Sequence, residues 1–146
     1  MACSLLIGGQ LETGRKAEMK TEFTLLIADK NPYVRSFLER ELAAEGYQVK
    51  AIGTRKELFN CLRSEYPPDL IVMDLDMPVK IAMEVLMQLH SLVPPTPVVV
   101  YTNYMEYEYD EKVQWVDAFV EKSGSPEPLK KAIAEVLHSH YAHCIE

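Results

Sequence analysis

The sequence predicts an α/β protein, a three-layer α/β/α sandwich built on a five-stranded parallel sheet of order 2-1-3-4-5. Three observations predict it. Continuous apolar runs at residues 23–28 (FTLLIA), 70–73 (LIVM) and 98–101 (VVVY) have the length and character of strands buried on both faces. The segments between them space apolar residues three and four apart, as helices with one buried side do. The two kinds of segment alternate through the chain, and strands joined through helices run parallel with right-handed crossovers.

Each element has its own local reason. The first strand, residues 23–28, is broken by Asp29-Lys30-Asn31-Pro32, where Asn31 can cap a helix and Pro32 suits its first turn. Val34, Phe37, Leu38 and Leu42 are the inward stripe of helix 1, and Gly46 ends it. Residues 47–52 alternate in polarity and form strand 2, nearer an edge. Thr54 and Glu57 make a capping box for helix 2, which buries Leu58, Phe59 and Leu62 and stops at Tyr66-Pro67-Pro68. Strand 3 is residues 70–73, and Pro78 closes the loop after it. Helix 3 runs from about Lys80 to His90 with Ile81, Val85, Leu86 and Leu89 inward. Strand 4 follows Pro94, Pro95 and Pro97 and ends at Thr102. Residues 103–114 form a poor helix 4, and Trp115 packs helix against sheet. Residues 117–121 are strand 5. Ser125-Pro126 opens helix 5, whose stripe is Leu129, Ile133, Val136 and Leu137.

One domain, residues 21–146, accounts for nearly all of this. Residues 1–20, with Gly8, Gly9 and Gly14 and no steady period, read as a tail, and Met19 would open the domain more economically. The formal charge of −7 comes with no basic cluster, which argues against direct nucleic-acid binding. No apolar run approaches the roughly 18–20 residues that span a bilayer, so no membrane association is expected. Cys3, Cys61 and Cys144 are widely spaced, as in a reducing compartment, and the expected location is the cytoplasm. Cys61 reads as a small buried side chain of helix 2. Gly8-Gly9 lacks the spacing of a phosphate loop. His138, His140, His143 and Cys144 do not suit a compact metal site, and that end reads as frayed.

The chemistry gathers where the strands end. Strand 1 ends in Asp29, strand 3 in Asp74, strand 4 in Thr102 and strand 5 near Lys122. In this topology the C-terminal strand ends beside the order reversal, between strands 1 and 3, converge on one site. Two carboxylates can hold a hard cation such as Mg²⁺. A lysine and a threonine hydroxyl can neutralise and hydrogen-bond phosphoryl oxygens. An aspartate can be the nucleophile toward phosphorus.

Four segments then carry a resemblance: residues 25–29 (LLIAD), 68–78 (PDLIVMDLDMP), 98–102 (VVVYT) and 119–122 (FVEK). Over about residues 22–140 the chain resembles the response-regulator receiver domains of two-component signalling, which have a flavodoxin-like, CheY-like fold. The most specific segment is Asp74 followed by Leu75-Asp76-Met77-Pro78. The resemblance implies that Asp74 accepts a phosphoryl group from a histidine kinase or phosphotransfer protein. It implies that Thr102 is the switch hydroxyl, Phe119 the switch aromatic and Lys122 the phosphoryl-pairing lysine. It makes Asp29, Asp74 and the Asp76 backbone carbonyl the ligands of Mg²⁺. The chain would supply the acceptor and charges for its own phosphorylation and dephosphorylation, as a stand-alone receiver rather than an enzyme in the usual sense. Downstream proteins would read the helix 4–strand 5–helix 5 face, where Tyr104, Met105, Tyr107 and Tyr109 suit contacts, and a homodimer is a further possibility.

The departures from the family pattern bear on the metal. Lys30 stands where the family has a second, metal-binding acid. Its ammonium would repel Mg²⁺, or pair with Asp74 and replace part of the ion's charge, or snorkel away from the pocket. Asn103 replaces a small residue and would crowd phosphoryl access. Ser123 replaces a proline after Lys122, which implies a rearranged or strained loop. The loop at Val79-Lys80-Ile81-Ala82 lacks the usual glycines, and the connection from Thr102 to Phe119 is about two residues short of the family's usual length. The alternative function is a pseudo-receiver, an interaction module without Mg²⁺-dependent phosphorylation. A piece of a larger regulator and an aspartate-nucleophile hydrolase are lesser alternatives.

Overall fold

Asn31 and Thr54 fix where the first two helices start. The Asn31 side chain accepts hydrogen bonds from the Tyr33 and Val34 amides and puts Pro32 at the head of α1, Pro32–Ala43. Thr54 and Glu57 close a reciprocal capping box on α2, Arg55–Leu62. Each cap contributes about 1 kcal/mol. Gly46 follows α1 with φ 100, a left-handed conformation that a side chain would strain.

The computed structural model describes residues 23–77, 79–92, 95–108, 110–113 and 115–145. The expected tail, with Cys3, Gly8, Gly9, Gly14 and Met19, lies outside the described residues, as do Pro78, Pro94, Tyr109 and Gln114. So do the side chains of Val79, Lys112, His143, Cys144 and Ile145. Five strands, β1 Thr24–Ala28, β2 Gln48–Ile52, β3 Leu70–Met73, β4 Val98–Thr102 and β5 Ala118–Glu121, pair in parallel in the order 2-1-3-4-5. The sequence expectation of fold class and strand order holds. α3 is Val79–His90 and α4 is Glu127–Ile145, with a break at Tyr141.

Alternation along the buried strands divides the core into two layers. Leu25 and Ile27 of β1, Leu70 and Val72 of β3 and Val99 of β4 pack with Leu38 and Leu42 of α1 and Leu129 and Ile133 of α4. Their neighbours Leu26, Ala28, Ile71, Met73, Val98 and Val100 pack with Leu58 of α2 and with Val85, Leu86 and Leu89 of α3. Truncating any fully buried leucine here to alanine costs about 2–5 kcal/mol. At the amino-terminal edge of the sheet two carboxylates cap strand amides. Asp69 accepts from the Thr24 amide at 2.8 Å, and Asp117 accepts from the Val98 amide at 2.9 Å.

The expected helix 4 is absent among the described residues. Two 3-10 turns replace it, η1 Met105–Tyr107 and η2 Glu111–Val113. The physical reasons lie in the sequence. Tyrosine, asparagine and aspartate have low helix propensity, and Glu106 and Asp110 would repel one helical turn apart. A short connection also gains reach from the larger rise per residue of a 3-10 turn. Val113 still buries itself in the α2–α3 layer. Trp115, expected to pack a helix on the sheet, instead stacks on His90 at the end of α3, with ring centroids 4.7 Å apart. Cys61 is half-buried rather than fully buried. The chain end expected to fray is tied down at Tyr141. Its hydroxyl donates to the Asp69 carbonyl at 2.8 Å and its ring lies 5.4 Å from that of Phe23. Burial pushes the Tyr141 phenol up to about 12.

Candidate functional site

Strand register brings the predicted residues to one place. Ala28 pairs with Met73, and the Asp74 amide donates to the Ala28 carbonyl at 3.1 Å, so Asp29 and Asp74 leave adjacent strands side by side. On the other side Thr102 pairs with Glu121, and the Lys122 amide donates to the Thr102 carbonyl at 2.9 Å. The Lys122 ammonium then crosses the strand ends and stands 2.8 Å from both Asp29 Oδ2 and Asp74 Oδ2. Asp29, Asp74 and Thr102 are the buried polar residues of the described core.

The remaining carboxylate oxygens are also held. Asp29 Oδ1 accepts from the Asn31 amide at 2.9 Å, and Asp74 Oδ1 accepts from the Asp76 amide at 3.2 Å. Burial alone would lower the Lys122 pKa, but hydrogen bonds and charge from Asp29 and Asp74 outweigh it and hold the ammonium above the ordinary lysine value. The Asp29 backbone is fixed in turn by Arg35, whose Nη1 donates to the Asp29 carbonyl at 2.7 Å. The Arg35 guanidinium lies against the Gly53 backbone, where a Cβ would make it shift.

Lys30 points elsewhere. Its ammonium lies 3.1 Å from Asp76 Oδ2 and is 61% exposed, on the solvent side of the site. The Tyr104 phenol shares Asp76. The negative charge of Asp76 and a hydrogen bond to it keep that phenol above its ordinary pKa, with Lys30 opposing and Asp74 adding to the effect. The Tyr104 amide also donates to Thr102 Oγ1 at 3.2 Å.

Of the expected site residues, Asp29, Asp74 and Lys122 touch, and Thr102 sits on the neighbouring strand end. Phe119 is half-buried against the α2–α3 layer. Asn103 is exposed. Ser123 is exposed in a loop rebuilt from its own serines: Ser123 Oγ donates to the Ser125 carbonyl at 3.1 Å, and Ser125 Oγ accepts from the Glu127 amide at 3.2 Å. The carboxylates of Asp29, Asp74 and Asp76 are not gathered as one cage. Among the described residues no group of three or more His, Cys, Asp or Glu side chains is placed to hold a metal ion. Arg35 and Tyr104 were not identified as site residues from the sequence. Arg35 falls in the first turn of α1, six residues beyond Asp29, and Tyr104 looked like part of a surface stripe, so only the fold joins them to the site.

Chemically, a buried carboxylate beside a shared ammonium has the charge arrangement that nucleophilic attack on an anionic group requires. Among the described residues no helix is long and apolar enough to cross a membrane. The family model for the response regulator receiver domain matches residues 25–134. The structure of response regulator TrrA from Thermotoga maritima, in complex with Mg²⁺–BeF, is similar with a TM-score of 0.72 at 25% identity, over 78% of this chain and 98% of TrrA. TrrA in complex with histidine kinase ThkA gives a TM-score of 0.66 at 25% identity, over 79% of this chain and 98% of that one. Chemotaxis response regulator CheY4 of Vibrio cholerae shares the fold, with a TM-score of 0.68 at 22% identity over 79% of this chain and 98% of its own. With that model matching most of its length, this chain belongs to the receiver domains of two-component response regulators.

Proposed function

We propose that this receiver domain accepts a phosphoryl group on Asp74 and signals by a change of surface. The observation that carries the reading is the Lys122 ammonium at 2.8 Å from Asp74, buried with it and shared with Asp29. An Asp74 oxygen attacks phosphorus, the bond from phosphorus to the donor breaks, and the donor leaves with the electron pair. With acetyl phosphate the products are an aspartyl phosphate and acetate, and no proton needs to move. Lys122 would turn from the two carboxylates to a phosphoryl oxygen. Thr102 would give up the Tyr104 amide and donate to another oxygen. Phe119, half-buried in β5 two residues before Thr102's partner Glu121, would follow it inward.

The donor partner is a histidine kinase or phosphotransfer protein. The complex of TrrA with histidine kinase ThkA supports that class. The readout surface is the β4–β5–α4 side, where η1 and η2 stand in place of a helix and give a contour suited to a distinct partner. The test is mass spectrometry of the chain after incubation with acetyl phosphate. The expected result is a gain of one phosphoryl group that disappears in Asp74→Asn.

A second reading, the pseudo-receiver, is favoured by one observation: a lysine ion-paired to Asp76 at the position of a metal-binding acid. It predicts no gain from any donor. As for Mg²⁺, the donor set does not fit it. A lysine stands where the resemblance implies a second metal-binding acid, and its ammonium is paired to the Asp76 carboxylate. An octahedral Mg²⁺ needs oxygen ligands at about 2.0–2.1 Å, with no fixed cation beside it.

A further inference from the structure

We propose that this site loads its phosphoryl group without a divalent cation, because the Lys30 ammonium supplies the charge on the solvent side. The inference rests on the reading of Asp74 as phosphoacceptor and concerns what neutralises the incoming group.

Asp74 touches one ammonium and lies two residues from the partner of another. Lys122 is 14% exposed and in contact with the two buried carboxylates of Asp29 and Asp74. Lys30 is 61% exposed and ion-paired to Asp76, a carboxylate that is itself 37% exposed and whose amide donates to Asp74. An exposed pair of this kind is weak and screened by water, so little holds Lys30 on Asp76. An arriving phosphoryl group brings two negative charges and three acceptor oxygens beside Asp74, and a lysine on a flexible four-carbon stem can turn to it. Asp76 does not lose every partner when Lys30 leaves, since the Tyr104 phenol is hydrogen-bonded to it. The same ammonium disfavours a dication beside Asp76, because like charges repel where no counter-charge is added. Repulsion of the metal and attraction of the phosphoryl group are thus two effects of one residue.

The reaction is the transfer from acetyl phosphate written above: the phosphorus–oxygen bond to Asp74 forms, the one to acetate breaks, and the charge is conserved. Lys30 touches a transferring oxygen and loses no proton.

The test compares loading by acetyl phosphate in EDTA and in Mg²⁺, read by intact mass, alongside amide chemical shifts during a Mg²⁺ titration. The expected result is equal loading in both buffers and no Mg²⁺-dependent shift at Asp29, Asp74 or Asp76. Lys30→Ala should slow loading in EDTA by about tenfold or more. Lys30→Asp should load only with Mg²⁺ and should show saturable amide shifts. Loading of the wild type only in Mg²⁺, or Lys30→Ala loading in EDTA as fast as wild type, overturns this inference and leaves Asp74 as phosphoacceptor. No loading in either buffer overturns the phosphoacceptor reading itself and this inference with it.

Discussion

Two lysines meet carboxylates at the same end of the sheet, and they do so in opposite ways. Lys122 reaches its partners from a strand end, is nearly buried, and binds two carboxylates that are themselves buried. Lys30 reaches its partner from a loop, is mostly exposed, and binds one carboxylate that is partly open to water. The distances differ by only 0.3 Å, 2.8 against 3.1 Å. Burial separates them. Removing one member of a buried pair leaves an uncompensated charge, whereas an exposed pair exchanges readily with water. The inner lysine is therefore part of what holds the strand ends together, and the outer one is free to change partner. The proposed loading of Asp74 therefore draws on one anchored cation and one exposed cation.

Four measurements bear on that contrast, and the first carries the largest effect. Lys122→Ala leaves Asp29 and Asp74 facing each other unneutralised, and it should cost about 3 kcal/mol in urea denaturation at neutral pH. A loss below about 1 kcal/mol would erase the distinction between the two lysines. A smaller loss should follow from alkali. The folded Lys122 pKa lies above its ordinary 10.5. Its contribution is thus fully present below that value and is lost as pH rises through the raised folded value. Stability should fall in that alkaline window, and the Lys122 part of the fall should be missing in Lys122→Met. Tyr141 adds a loss of the same sign between its ordinary value of 10.0 and about 12.

Lys30→Ala should change stability by less than about 0.5 kcal/mol, and high salt should remove even that difference. The smallest effect is spectroscopic. Asp76→Asn should bring the Tyr104 phenol back toward its ordinary pKa, since the Asp76 charge is the largest cause of its upward shift. Carbon-13 labelled tyrosine would report it, and an unchanged titration would remove Tyr104 from the outer pair.

The sequence made the framework readable because the buried strands leave no second choice. LIVM and VVVY have no polar face, so they need cover on both sides, and the residues that end them must share a sheet edge. Asp29, Asp74, Thr102 and Lys122 were legible for that reason. Residues 103–114 were not, because acidic and aromatic residues in alternation fit several backbones, and connection length and the pull of Val113 toward the core decided between them. Lys30 was legible as an anomaly but not as a contact. Repelling Mg²⁺, pairing with Asp74 and turning away from the pocket all depended on where the ammonium points, and pairing with Asp76 was not among these readings. Arg35 was invisible for a related reason: its contact is with the backbone carbonyl of Asp29, which no side-chain pattern announces.

The central claim is that Asp74 takes the phosphoryl group, and chemical mapping of the loaded residue tests it most directly. Borohydride reduces an aspartyl phosphate to homoserine, which tandem mass spectrometry can place in the chain. After loading with acetyl phosphate in EDTA, homoserine is predicted at residue 74 and at no other aspartate. Homoserine at Asp29 or Asp76, or none at all after loading in either EDTA or Mg²⁺, would contradict the account.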